Sequence, residues 1–129
     1  MTDAPRHHIA AILPCTDLDA STAFYEKLGL SVVSDHGSYR LLEDGKGWQL
    51  HLTNESQPTW PERDQNPFGL YLYSERVDEL AERVRDAILG PMKAPTHKPW
   101  GMYEFALSDP DETLVRIGWS SRLIGSAAF

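Results

Sequence analysis

The sequence predicts an α+β domain built from two tandem modules, each with the order strand, helix, strand, strand, strand. The same succession of short apolar run, amphipathic segment and alternating runs occurs on both sides of a Pro-rich linker, Gln57 to Pro67. Apolar residues follow a helical period in one segment of each half and a period of two in the others. A chain of 129 residues fits one domain, residues 1–129, with modules at about 6–56 and 67–121.

The first module opens with an apolar run that fits a strand, Ile9 to Leu13. Next, the polar cluster Thr16 to Asp19 supplies N-cap candidates for a helix, and Gly29 is typical of a helix end. Three further strands are predicted because short alternating runs are separated by glycine-containing turns. They are Ser31 to Ser34, Ser38 to Leu42 and Trp48 to Thr53.

The second module repeats this order after the linker. Phe68 to Tyr73 is predicted as a strand, and 76–88 as a helix. The helix is predicted from one apolar stripe, formed by Val77, Leu80, Ala81, Val84 and Ile88. Strands are predicted at Met102 to Ser108 and Thr113 to Trp119, with a weaker one near Met92 to His97 that its prolines confine to a sheet edge.

One helix per module covers one face of a small sheet and leaves the other face open. Strand alternation places His51, Tyr71 and Arg116 on these open faces. An arginine in a sheet needs either water or a carboxylate, and Glu104 on the neighbouring strand is a candidate partner. A purely structural Arg–Glu pair and a binding role are both compatible with this pattern.

The charge balance restricts the possible partners. Twelve Lys and Arg against nineteen Asp and Glu give a formal charge of −7, which argues against nucleic acid and anionic membranes. The excess permits a cationic ligand, although solubility alone would also explain it. The single cysteine, Cys15, allows no internal disulfide and fits a cytoplasmic location. The run Ile9 to Leu13 is too short to span a membrane.

No motif for catalysis is evident. The five histidines form no HxH or HxxxH pair, whereas a catalytic metal site uses about three protein ligands. There is no GxSxG motif, and nothing in the sequence associates Cys15 with a base. We therefore expect no catalytic residue, no metal and no cofactor.

Two segments, PCTDLDASTAFYEKLGLSVV and PWGMYEFALSDPDETLVRI, resemble the vicinal oxygen chelate superfamily. Within it, FYEKLG, HGSYRLLEDG and PWG followed by EFAL are most similar to bleomycin-resistance proteins. The resemblance implies that the paired modules form a curved, open sheet in a homodimer. The superfamily's four metal-ligand positions fall on Ala10, His51, Gly69 and Arg116, of which only His51 can coordinate. This departure implies the non-enzymatic binding branch.

The resemblance further implies that the protein sequesters a flat, cationic antibiotic of the bleomycin type in grooves of the homodimer. Trp100 of PWG matches an aromatic wall of such a groove, and Tyr39 is the nearest match to a second wall. The alternative is that Trp100 fills the core from its loop. The predicted ligand-binding residues are Trp100, Tyr39, His51, Tyr71, Glu104 and Arg116.

Two other interpretations stay open. One is a metal-dependent lyase, transferase or dioxygenase with an atypical ligand set such as His8, His51 and Glu104. The other is a binding module whose ligand is unrelated to resistance. In addition, Glu112 stands where the family usually has Gly, and a side chain is unfavourable at positive φ. The resemblance therefore leaves open the type of this turn and the register of the last strand.

Overall fold

The computed structural model describes residues 7–55 and 65–124. These residues divide into two compact units, one on each side of the boundary between Pro58 and Thr59. Most of the predicted linker, residues 57–64, lies outside the described residues, as do the outer limits of the first predicted module.

Unit one contains strand β1 (Ala11–Pro14), helix α1 (Leu18–Glu26) and strands β2 (Ser31–Asp35), β3 (Tyr39–Glu43) and β4 (Gln49–Thr53). The strand order is β1-β4-β3-β2, with β1 parallel to β4 and the other pairs antiparallel. Asp17 caps α1, because its carboxylate accepts a hydrogen bond from the Ala20 amide at 3.1 Å. Gly29 follows the helix at φ 103°, a left-handed conformation that suits glycine.

Unit two contains strand β5 (Gly69–Tyr73), helix α2 (Val77–Arg83), a 3₁₀ turn (Arg85–Ala87) and strands β6 (Thr96–His97), β7 (Met102–Ser108) and β8 (Leu114–Ser120). The strand order is β5-β8-β7-β6, with β5 parallel to β8. The short strand β6 lies at the sheet edge, as predicted from the prolines near it. The predicted helix over 76–88 is too long: α2 ends at Arg83 and the chain tightens into the 3₁₀ turn, although Ile88 still reaches the core.

Together the units confirm the predicted α+β fold class with its repeated element order. In each, one helix and one sheet face bury a common core. In unit one the core includes Leu18 and Tyr25 of α1 with Leu50 and Leu52 of β4. In unit two it consists of residues from α2, the segment after it, β7 and β8: Val77, Leu80, Ala81, Val84, Ile88, Phe105, Leu107, Val115 and Ile117. No helix in the described ranges is long and apolar enough to cross a lipid bilayer.

The turn between β7 and β8 contains a residue in the left-handed conformation, although that residue is not a glycine. Glu112 adopts φ 65°. Asp109 is buried, and its Oδ1 accepts hydrogen bonds from the amides of Asp111 at 2.8 Å and Thr113 at 2.9 Å. These bonds hold the turn in place, so β8 enters in the predicted alternation, with Val115 and Ile117 toward the core.

We therefore expect Glu112→Gly to raise the free energy of unfolding by about 0.5–1 kcal/mol. A left-handed conformation costs a non-glycine residue about 1–2 kcal/mol, and the greater freedom of glycine in the unfolded chain offsets part of that gain. Denaturant titration measures the change. Glu112→Ala is the control, because it removes the same charge but keeps a Cβ at positive φ. Equal stabilisation by both variants would contradict the backbone explanation.

Candidate functional site

The open face of the sheet in unit two carries a polar and aromatic cluster centred on β8. Register places Tyr71 of β5 directly beside Arg116 of β8, and Glu104 of β7 directly opposite Gly118. Val115 and Ile117 on either side of Arg116 are buried toward α2. Because side chains alternate along a strand, Tyr71, Glu104 and Arg116 share the face that α2 does not cover. The sequence had placed Tyr71 and Arg116 there.

Glu104 is the centre of the cluster and is only 1% exposed. Its Oε1 accepts hydrogen bonds from the Tyr71 hydroxyl at 2.9 Å and from the Trp100 indole nitrogen at 3.0 Å. Its Oε2 forms a 2.7 Å ion pair with Nη1 of Arg116. A buried carboxylate is costly unless donors satisfy it, and here three donors do so. The predicted Arg116–Glu104 pair is thus present, with two further partners.

Trp100 projects from the tight turn that precedes β7. The Lys98 amide bonds to the Met102 carbonyl at 2.7 Å, and Gly101 makes the turn possible at φ 85°. Trp100 is 58% exposed, so it does not fill a cavity in the core. The guanidinium carbon of Arg116 lies 5.8 Å from the centroid of its ring, within cation–π range. Two contacts therefore fix the indole while much of its surface stays open.

The ionisation of the cluster follows from these contacts. Burial raises the pKa of the Glu104 carboxyl, but the hydrogen bonds from Trp100, Arg116 and Tyr71 outweigh it, and the pKa lies below its usual range. Burial, followed by the hydrogen bond to Glu104, raises the pKa of the Tyr71 hydroxyl well above its ordinary value. At neutral pH the cluster therefore holds a carboxylate, a protonated phenol and a guanidinium.

Gly118 allows the close packing of this cluster, and the sequence reasoning missed it. A Cβ at this position would lie 2.7 Å from Cβ of Glu104 and 2.9 Å from the Tyr103 carbonyl oxygen. Both distances are shorter than a carbon atom can tolerate. The available signal was a glycine inside a strand, which often marks a close approach of neighbouring groups.

Gly118→Ala is accordingly expected to lower the free energy of unfolding by about 1–3 kcal/mol, because the new methyl group must displace Glu104 or the strand next to it. Denaturant titration measures this loss. Gly69→Ala is the matched control, because a Cβ there would lie 3.5 Å from the Leu114 carbonyl oxygen, an ordinary contact. A Gly118→Ala variant as stable as Gly69→Ala would contradict the packing argument.

In unit one a smaller cluster occupies the equivalent positions. The Tyr39 hydroxyl lies 2.8 Å from Nδ1 of His51, and the two rings meet edge to face at 5.4 Å between centroids. His51 is the third residue of β4 as Arg116 is of β8. Tyr39 pairs with the residue two positions after His51, just as Glu104 pairs with the residue two positions after Arg116. The six predicted site residues thus separate into one cluster per unit.

The four positions that the resemblance assigned to a metal do not form a ligand set. Ala10 and Gly69 have no donor side chain, and Arg116 is ion-paired with Glu104. Within residues 7–55 and 65–124, no group of three or more His, Cys, Asp or Glu side chains could hold a metal ion. Glu104, a member of the alternative ligand set, already accepts three hydrogen bonds. That the protein uses no metal remains a prediction.

Comparison with known proteins places these features in a family context. Residues 6–117 match the model of the Glyoxalase/Bleomycin resistance protein/Dioxygenase superfamily. A bleomycin resistance protein of Klebsiella pneumoniae is 30% identical over 126 residues, covering 88% of this chain and 92% of the relative. A bleomycin-binding protein crystallised with bleomycin has a TM-score of 0.71 and 25% identity, covering 88% of this chain and 98% of that one. A lactoylglutathione lyase from Agrobacterium tumefaciens has a TM-score of 0.64 and 25% identity, covering 89% and 95%.

Proposed function

The chain belongs to the Glyoxalase/Bleomycin resistance protein/Dioxygenase superfamily, and within it we propose that the protein binds and sequesters a planar, cationic small molecule of the bleomycin type. Binding alone lowers the free concentration of such a compound, so no bond needs to be made or broken. The fold similarity to a bleomycin-binding protein supports this choice of ligand. The buried single cysteine, Cys15, supports a reducing, cytoplasmic location.

The observation that carries the proposal is the exposed Trp100 indole. Exposing the apolar surface of an aromatic ring to water is unfavourable. The Trp100 ring is oriented by its hydrogen bond to Glu104 and by its contact with Arg116. A planar heteroaromatic ring can stack on it with little loss of side-chain freedom, since the indole is already ordered. In unit one, Tyr39 and His51 offer a second ordered aromatic pair. The charge of −7 would attract a cationic part of the ligand over longer distances.

The proposal includes a homodimer. In each unit the sheet face away from the helix carries exposed apolar side chains, among them Ile12 in unit one and Tyr73 in unit two. Such faces are usually covered by a partner. We therefore expect sedimentation equilibrium at micromolar concentration to give twice the monomer mass of 14.5 kDa. A monomer that is unchanged by protein concentration and by added bleomycin would contradict this.

A second candidate function is a metal-dependent lyase, transferase or dioxygenase. The similarity to a lactoylglutathione lyase favours it, together with His51, which can coordinate and occupies a superfamily ligand position. The ion pair between Arg116 and Glu104 speaks against it, because a guanidinium at an expected ligand position repels a divalent cation.

Two measurements on the purified protein separate these functions. The first is titration with metal-free bleomycin, followed by Trp fluorescence and calorimetry at two salt concentrations. We expect saturable binding that weakens at higher salt, because screening reduces the attraction between opposite charges. The second is metal analysis after native purification. Stoichiometric zinc, nickel, manganese or iron, lost in His51→Ala together with an activity, would favour the enzyme. Binding of a different planar compound but not of bleomycin would retain the binding module and reject the proposed ligand.

A further inference from the structure

The two charged side chains beside the Trp100 ring, Glu104 and Arg116, affect which ligands the ring can bind. The residues of β5, β6, β7 and β8 include only two with a full formal charge at neutral pH, Arg116 and Glu104. They are paired at 2.7 Å, so the net charge of this part of unit two is zero. The protein as a whole carries −7, and this charge is therefore located elsewhere in the chain. The aromatic wall itself lies beside a neutral pair.

The position of the guanidinium matters as well as its charge. An aromatic ring attracts cations through the negative potential of its face, and the Arg116 guanidinium, 5.8 Å from the ring centroid, already uses that attraction. A second cation stacked on the same indole would lie close to the Arg116 guanidinium, which carries a like charge. Such repulsion opposes the ring's intrinsic preference for cations. An uncharged planar ring keeps its stacking and apolar contacts and incurs no such repulsion.

We infer that Arg116 is a specificity-determining residue: its guanidinium, placed against the Trp100 ring, removes the preference of that ring for cationic over uncharged planar groups. Glu104 positions both groups: it holds the indole nitrogen at 3.0 Å and the guanidinium at 2.7 Å. The inference rests on the proposed binding function, since it concerns which planar groups the Trp100 ring selects.

The test uses two probes of the same shape and different charge, quinoline and N-methylquinolinium, titrated at pH 8 and low salt. The measured quantity is the ratio of their dissociation constants. We expect the wild type to bind quinoline at least as tightly as N-methylquinolinium. In Arg116→Gln the amide can still donate to Glu104, but the balancing positive charge is gone. The ratio should then shift toward the cationic probe by about three- to tenfold, the scale of one charge at partly exposed sites.

Three other variants complete the experiment. Arg116→Lys keeps the positive charge and should keep the wild-type ratio within about twofold, because the expected repulsion depends on the charge. Arg83→Gln is the matched control, because it removes one positive charge from the exposed pair with Glu79 on α2 and should not alter the ratio. Glu104→Gln removes the negative charge instead and should shift the ratio toward quinoline. This opposite shift keeps the inference testable if Arg116→Gln fails to fold.

The outcomes separate the inference from the function on which it rests. Ratios that are equal in the wild type, Arg116→Gln and Glu104→Gln would overturn the role of Arg116 while leaving ligand binding intact. A wild type that prefers the cationic probe as strongly as Arg116→Gln would do the same. If neither probe binds, or if both bind equally well to Trp100→Ala, the Trp100 wall is not a binding surface, and the proposed site and this inference are both rejected.

Discussion

Trp100→Ala is expected to weaken ligand binding by about 1–3 kcal/mol, the contribution of a stacked ring or an aromatic hot spot. The free energy of unfolding should fall by no more than about 1.5 kcal/mol, because the side chain is 58% exposed and leaves no large cavity, and Glu104 keeps its bonds to Tyr71 and Arg116 when the indole donor is lost. The paired measurement is a denaturant midpoint and a ligand titration on the same two proteins. Bleomycin is the first ligand to use.

Trp119 provides the matched control for this experiment. It lies on β8 in the alternation of Val115 and Ile117, on the side of the sheet that α2 covers. Trp119→Ala should therefore lower stability more than it lowers affinity, the reverse of Trp100→Ala. Trp100→Phe should retain most of the binding because it keeps an aromatic ring. Some affinity should be lost because phenylalanine has no indole donor to Glu104. A large loss of stability in Trp100→Ala with unchanged affinity would reject the stacking wall.

Glu104→Ala is expected to lower the free energy of unfolding by about 2–4 kcal/mol. The substitution leaves the Tyr71 hydroxyl, the Trp100 indole nitrogen and the Arg116 guanidinium without their common acceptor. Loss of one partner of a buried ion pair costs about 3–5 kcal/mol, and the partial exposure of Arg116 reduces this because water can reach the guanidinium. Ligand binding should fall as well, because the indole loses the contact that orients it.

The ionisation of Glu104 should also make the stability of the fold depend on pH. Its pKa is lower in the folded protein than the ordinary value of 4.5, so the folded state favours the ionised form. The stabilisation is therefore fully present above about pH 4.5 and is lost as the pH falls through the lower pKa of the folded state. As the pH falls below about 4.5, we expect the free energy of unfolding to decrease more steeply in the wild type than in Glu104→Gln.

Glu104→Gln also serves as the control for the alanine variant, since its amide oxygen can still accept from Trp100 and Tyr71. It should be less destabilised than Glu104→Ala at neutral pH. Equal destabilisation by the two variants would mean that charge, rather than hydrogen bonding, dominates. Parallel pH profiles for the wild type and Glu104→Gln would contradict the lowered pKa.

The sequence by itself determined the elements and their faces. Apolar periodicity is a local property, and it located eight strands and two helices within the described residues. The second helix is five residues shorter at its end than predicted, and the weak strand near Met92 to His97 is only Thr96–His97. The same alternation put Arg116 and Tyr71 on the open face and named Glu104 as the partner of Arg116. The resemblance of the PWG segment added Trp100 as a predicted binding residue, but it gave no contact for the indole.

Only the tertiary structure decided how these residues meet. The hydrogen bond from Trp100 to Glu104 and the approach of Arg116 to the ring depend on the turn geometry before β7, which alternation along a strand does not describe. Gly118 matters because the neighbouring strand β7 brings Tyr103 and Glu104 against it. The left-handed Glu112 is tolerated because a buried side chain, Asp109, holds the turn. In these cases specific contacts, within a turn or between strands, determine the result, since packing and hydrogen bonds can outweigh a conformational preference of about 1 kcal/mol.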